Sequence, residues 1–272
     1  MPIKLTPEPV TPAKPLAPWI GGKALLAKAI TARIETISHT LYAEPFVGMG
    51  GVFFRRKTRP KAEMINDRND EIVNLFRIVQ RHPDAFTAAL QYQLGARADF
   101  DRLKATPPEI LTDIERAVRF LVIQRLAFGG RPSNPTFGTT TDRPSRFDPD
   151  KVMRLIETAR ARLAAVTIEC LDWRDVLGRY DRPHTLFYLD PPYWNSEAVY
   201  GKGLFSRSDF AEMADLLARL KGAFILSLND LPEVRETFQA FHIEEVETRY
   251  SCSRVKTDGR APELLITNRK RA

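Results

Sequence analysis

The sequence predicts an α/β domain built on a largely parallel sheet and interrupted by an inserted, mostly helical subdomain at residues 82–148. Short apolar runs alternate with segments of helical period as far as His82-Pro83, the rhythm of a parallel sheet. The alternation then stops for an Arg-rich stretch, a capped helix and a turn-rich loop. From Lys151 it resumes and runs to the last strands.

Met1 to Pro18 is Pro-rich with no apolar core, so it reads as an extended arm over 1–17 and not as a signal peptide. The sheet domain would then comprise 18–81 and 149–272. Leu25, Leu26, Ala29, Ile30, Ile34 and Ile37 recur at helical spacing, which predicts a helix from Gly22 to Ile37. Leu41–Phe46 reads as a buried strand, followed by Gly48-Met49-Gly50-Gly51 and a helix from Val52. Lys61–Ile65 is the next strand, closed by Asn66-Asp67, and Asp70–Gln80 a helix with Ile72, Val73, Leu75, Phe76 and Val79 inward.

Past Pro83 the insertion has one well-marked helix, opened by Thr112 with Glu115 three residues on, a capping box. Gly129 to Pro149 is too rich in turn residues, and too long, for a simple connection. Helix Lys151–Ala164, strand Val166–Cys170, a helix near Trp173, strand Thr185–Leu189, helix Ser208–Leu220 and strand Ala223–Leu228 follow. Phe241–Thr248 and Glu263–Thr267 read as an antiparallel pair at the sheet edge.

Composition narrows the function classes. The chain has 272 residues, enough to bury a core, and is 43% hydrophobic and 28% charged. No apolar run approaches the roughly 18–20 residues that span a bilayer, so a membrane partner is not expected. Its 2 cysteines, Cys170 and Cys252, offer neither a disulfide framework nor a metal spacing, which fits a reducing cytoplasm without zinc. The formal charge of +7 suits a polyanion. Arg97, Arg102, Lys104, Arg116, Arg119, Arg125, Arg131, Arg143 and Arg146 crowd the middle third, and Arg249, Arg254, Lys256 and Arg260 form a second group. Phosphate contacts need such cations; solvated helix faces are the plainer reading.

Three motifs carry chemistry. Asp190-Pro191-Pro192-Tyr193 follows the apolar run Leu186–Leu189. A carboxylate, rigid prolines and an aromatic ring at a strand end suit a planar base with an exocyclic amine: Asp190 and the Pro191 carbonyl accept from the amine while Tyr193 stacks on the ring. Glu44-Pro45-Phe46-Val47-Gly48-Met49-Gly50 lies between strand and helix, where glycines let a nucleotide approach the backbone. Asp67, at the end of the next strand, is spaced to hold a ribose diol. Trp19-Ile20-Gly21-Gly22-Lys23 is not a phosphate-binding Walker loop, because Ala24 replaces the magnesium-holding Ser/Thr. At a helix start it would instead receive a carboxylate.

In this order, with Leu226-Ser227-Leu228-Asn229-Asp230 and Glu263-Leu264-Leu265-Ile266-Thr267-Asn268 after them, the motifs resemble those of the Dam-type adenine-specific DNA methyltransferases, over about Pro18 to Asn268. The resemblance implies a Rossmann-like sheet with a helical target-recognition insertion, and S-adenosylmethionine as cofactor. It implies that Trp19, Lys23, Glu44, Phe46, Gly48, Gly50, Asp67, Asp172 and Asp190 hold the cofactor, with Trp173 beside its adenine. It implies that Asp190, Pro191, Pro192 and Tyr193 present an adenine flipped from double-stranded DNA by a bacterial or phage-encoded enzyme, acting as a monomer or weak dimer. Arg125, Arg131, Asn134 and Arg143 are the DNA contacts it suggests. In Gln124-Arg125-Leu126-Ala127-Phe128-Gly129-Gly130-Arg131 the Asn that many such enzymes carry before the last Gly is absent, so GATC as the target does not follow. Adenine in RNA, the amine of cytosine in DNA, and a non-catalytic DNA-binding role stand as the alternatives.

Overall fold

The computed structural model describes residues 7–139, 141–142, 144–197, 201, 203–249 and 260–268. Arg143, Thr140, Cys252, Arg254 and Lys256 lie outside them, as does the start of the arm. Glu8–Pro9 forms β1, Ala27–Thr36 α1, Leu41–Glu44 β2, Thr58–Arg59 β3, Ala62–Asn66 β4 and Asp70–Arg81 α2. Pro83–Leu90 (α3), Arg97–Ala105 (α4) and Asp113–Leu126 (α5) follow. Pro149–Leu163 (α6), Thr167–Glu169 (β5), Trp173–Tyr180 (α7), Thr185–Leu189 (β6) and Arg207–Ala218 (α8) resume the alternation. Ala223–Asn229 (β7), Pro232–Thr237 (α9), His242–Arg249 (β8) and Arg260–Thr267 (β9) close it.

The main sheet has 7 strands in the order β5-β4-β2-β6-β7-β9-β8. The first five in that order run parallel, and β9 lies antiparallel between β7 and β8. From β2 the chain first adds strands on one side, then returns to add β6 and β7 on the other. Connections therefore diverge between β2 and β6 and leave a crevice at their carboxyl ends. Glu44 ends β2 and Asp190 follows β6, so this reversal brings both acids to one crevice.

Every residue of β6 is buried, as a parallel strand covered on both faces requires. Leu186 and Tyr188 join the apolar cluster of α2, α5 and α6, while Phe187 and Leu189 join that of α7, α8 and α9. The inserted helix α5 thus shares the core of the sheet domain. The box that opens it is formed: the Thr112 amide donates to Glu115 Oε2 (2.9 Å) and the Glu115 amide to Thr112 Oγ1 (3.4 Å). A buried ion triad fastens β4 to α6. Glu63 takes Arg56 Nη1 at 2.5 Å and Arg162 Nη1 and Nη2 at 2.6 and 2.7 Å, and the guanidiniums lie over Tyr42 and Phe53.

Two expectations are corrected, and two segments gain detail. The helix expected from Val52 is a single 3-10 turn, Phe53–Arg55. Both Phe rings go into the core, and the chain then extends as β3 to pair with β1. The first long helix starts at Ala27 and not at Gly22, because the chain turns through Gly21 (φ +70°) while Lys23 reaches inward. The Arg-rich stretch beyond Pro83 holds two helices whose amphipathic signal is short: Phe86 and Leu90 anchor α3, and Phe100 anchors α4. From residue 7 onward the arm is packed: β1 pairs with β3, and Ala13, Leu16 and Ala17 are buried. No helix among the described residues is long and apolar enough to cross a membrane.

Candidate active site

Asp190 sits where buried β6 meets the crevice, with its side chain 20% exposed. Its Oδ1 takes two partners: the Lys23 ammonium at 2.7 Å and the Ser227 hydroxyl at 3.0 Å. The Ser227 proton being so committed, Tyr188 donates to Ser227 Oγ (3.0 Å), a relay from β6 through β7 to the carboxylate. Burial raises the Asp190 carboxyl above its ordinary range, and Lys23 and Ser227 pull it back. The segment after it is pinned by Asn229, whose Oδ1 accepts from the Trp194 amide (3.0 Å) and whose Nδ2 donates to the Trp194 carbonyl (3.2 Å).

Lys23 is 3% exposed and occupies the centre of the site. Besides Asp190 it donates to the Gly21 carbonyl (3.1 Å), lies 4.4 Å from the centre of the Tyr193 ring and stands 3.9 Å from Glu263 Oε2. Tyr193 donates its hydroxyl to the same Glu263 oxygen, so its ring is held by its edge and by one face. Burial pushes both Tyr193 and Glu263 up. In the sequence Glu263 stands out only as part of a motif. Its role depends on β9 lying against β7, with Glu263 opposite Asn229.

Beside Asp190 opens a cavity of about 580 Å³. Its lining includes Trp19, Lys23, Glu44, Phe46, Gly48, Asp67, Asp190 and Pro192, with Lys14, Pro15, Arg55, Leu204 and Phe205, which the motifs do not announce. Gly48 (φ +49°) is forced, since a Cβ there would meet the Trp19 indole nitrogen at 2.8 Å. Gly50 (φ +72°) is equally forced against the Phe54 ring and serves packing beneath the cavity. Asp67 takes the Gly48 amide on Oδ2 and the Asn69 amide on Oδ1, both at 2.9 Å; burial pushes it up to about 6. Asn66, buried next to it, bonds Pro45 and Leu171 and ties the loops after β2, β4 and β5 together.

Glu44 accepts from Tyr42 (2.7 Å) and is pushed up to about 8, first by burial and then by the negative Asp190 nearby. Between the ordinary carboxylate range and pH 8 the folded chain thus keeps a proton that the unfolded chain releases. Stability contributed by this group is complete at low pH and is lost as pH rises toward 8. Glu44→Gln should remove that dependence. From pH 6 to 9 its melting temperature should fall less than that of the wild type, by at least about 2–4 °C, the equivalent of 1 kcal/mol. Equal falls in a thermal denaturation series would refute it.

The remaining sequence candidates are spread out. Asp172 caps α7 and bonds Arg174, and neither it nor the buried Trp173 is among the cavity-lining residues. Arg131 and Asn134 are exposed on the loop. Asn134 adopts φ +46° and accepts from Lys104. Arg125 donates to the carbonyls of Leu16 (2.6 Å) and Arg146 (2.9 Å). Much of the basic middle third is likewise spent inside the fold: Arg116 on Asp70 and Glu71, Arg119 on the Leu103 and Thr106 carbonyls, Arg146 on the Ala127 carbonyl. Phe128, 61% exposed at the end of α5, is an apolar ring that sequence pattern alone does not mark.

Among the described residues no group of three or more His, Cys, Asp or Glu is placed to hold a metal ion. The sequence model of the D12 class N6 adenine-specific DNA methyltransferases matches residues 19–252. The type II methyltransferase M1.LlaDCHI of Lactococcus lactis subsp. cremoris is 26% identical over 278 residues, covering 94% of this chain and 95% of the relative. A DNA adenine methylase of Haemophilus influenzae is 25% identical over 280 residues, covering 93% and 92%. The type II methyltransferase M.MjaIII of Methanocaldococcus jannaschii is 23% identical over 290 residues, covering 94% and 99%. With the family matched across most of the chain's length, the chain belongs to the D12 class of N6 adenine-specific DNA methyltransferases.

Proposed function

We propose that this enzyme binds S-adenosylmethionine in the cavity and methylates adenine that has left the stack of double-stranded DNA. The observation that carries the reading is the polarity of Asp190: both of its donors lie on Oδ1, so Oδ2 is the oxygen left to a substrate at the partly exposed mouth. The cavity fits the cofactor. Its volume lies in the range of small-molecule sites, its walls are largely apolar, and Gly48 lets a ligand reach the backbone. Asp67 would hold the ribose diol with the lone pairs its two amide bonds leave. Lys14 and Arg55 line the cavity as cations for the ligand's carboxylate, a duty that Lys23, already paired with Asp190, would share.

Once bound, the cofactor supplies a methyl group already activated on a sulfonium. The chain's own residues have to prepare the amine. Its nitrogen is a weak nucleophile because the lone pair is delocalised into the ring. Hydrogen bonds to Asp190 Oδ2 and the Pro191 carbonyl favour a pyramidal nitrogen and restore that lone pair. The rest is positioning and fixed charge. Tyr193, held by Lys23 against one face, would stack on the base. Phe128, beside the Gly130 turn that abuts Pro18 and Trp19, suits the gap that a departing base leaves in the duplex.

Tyr193→Ala should lower kcat/KM for DNA by the equivalent of about 1–3 kcal/mol, the worth of a base–aromatic stack. Binding of S-adenosylmethionine without DNA should be unchanged, as calorimetry would read. The reading as a whole is tested by nucleoside mass spectrometry on duplex DNA and on RNA incubated with the enzyme and the cofactor. N6-methyladenine in the duplex is expected. N4-methylcytosine, or methylation of RNA alone, would overturn it.

A further inference from the structure

Arg125 looks from the sequence like a residue aimed at DNA, and its surroundings assign it other work. It stands in the last turn of α5, directly before the recognition loop. One terminal nitrogen donates to the Leu16 carbonyl (2.6 Å) in the arm and the other to the Arg146 carbonyl (2.9 Å) on the far side of the loop. Its Nε is buried as well. Gln124 repeats the pattern: its Nε2 donates to the Pro18 carbonyl (2.9 Å) and the Gly130 carbonyl (2.6 Å). The Ile20 amide closes the circle on Gly130 O at 3.0 Å. Gly130 (φ +66°) lies so close that a Cβ would meet the Pro18 carbonyl at 2.8 Å.

These bonds matter because of what the arm does there. Lys14, Pro15, Ala17 and Pro18 line the cavity, and so does Arg125 itself. The same loop is stitched to the end of α5 by Phe128 N to Thr136 O (2.7 Å) and Gly138 N to Leu126 O (2.8 Å). We infer that Arg125 is a positioning residue, clamping the arm that walls the cofactor cavity to the loop that meets DNA, and not a DNA contact. Anything that orders the loop then steadies the cavity wall, and by linkage a filled cavity steadies the loop. The inference rests on the cavity being the cofactor site.

The test compares wild type, Arg125→Lys and Pro15→Gly by calorimetry with S-adenosylhomocysteine in the absence of DNA, and by the salt dependence of duplex binding. A lysine cannot span two carbonyls, so Arg125→Lys should bind the probe about tenfold more weakly, the loss of one charge-assisted hydrogen bond. Its slope of log affinity against log salt should match the wild type. Pro15→Gly loosens the same wall without touching the guanidinium and should weaken the probe in the same direction, with the slope again unchanged. This second variant carries the test if Arg125→Lys does not fold. Arg125→Ala, used to remove the charge, should also leave the slope unaltered. A slope reduced by about one with full probe affinity would make Arg125 a phosphate contact and overturn the inference. Full probe affinity in Pro15→Gly would overturn the wall. A wild type that binds no probe would instead sink the cofactor reading itself.

Discussion

Asp190→Ala should abolish methylation, lowering kcat by at least about 10²–10³-fold, the scale of losing a preorganised polar group at the reacting centre. Duplex binding should persist, since the loop after α5 is untouched. The variant has a second expected effect, because Lys23 is 3% exposed and loses a counter-ion at 2.7 Å. Glu263, 3.9 Å away, remains as a weaker partner. An unpaired buried ammonium is costly, so the melting temperature should fall as well. Adding Lys23→Met separates the two effects: it removes the stranded charge and should restore stability without restoring turnover. Methyl-transfer assays and thermal denaturation of the single and double variants decide this. Substantial turnover in either would contradict the role of Asp190.

Glu63→Ala should be the most destabilising single change in the sheet, at about 3–5 kcal/mol. It strands Arg56 and Arg162, whose side chains are 3% and 2% exposed. A loss of that size lowers the melting temperature by roughly 10 °C. Glu63→Gln should keep the shape and still destabilise, because it leaves two positive charges in the core. Replacing all three residues by Leu or Met should cost far less than the single change, since the penalty comes from stranding charge and not from losing a bond. Denaturant titration of the three variants measures the order. A single variant as stable as the triple replacement would show that the ions are solvated.

The sheet was legible because burial on both faces makes its strands apolar throughout, as in Leu186–Leu189. Asp190, Asp67 and Gly48 were legible because acids and glycines after strands have few structural uses. Glu63 was not: one acid on a strand reads as a solvent-facing position, and its partner Arg162 is 99 residues away. Glu263 was equally hidden, since its neighbours Tyr193 and Lys23 are fixed only when β9 takes its place. The basic middle third was legible as charge and not as geometry. Composition counts charge, and it does not see that Arg116, Arg119 and Arg146 spend theirs on carboxylates and carbonyls of the same chain.

The position of β9 also bears on how the enzyme is born. It is synthesised after every other strand of the main sheet, yet it sits inside the sheet, next to β7. Until β9 docks, β7 has the edge of Ala223–Asn229, apolar and without a neighbour on that side. Such an edge invites pairing with other nascent chains. The Glu263 that fixes Tyr193 arrives with the strand that covers it, so the newborn enzyme gains its protection and its working site in one late step.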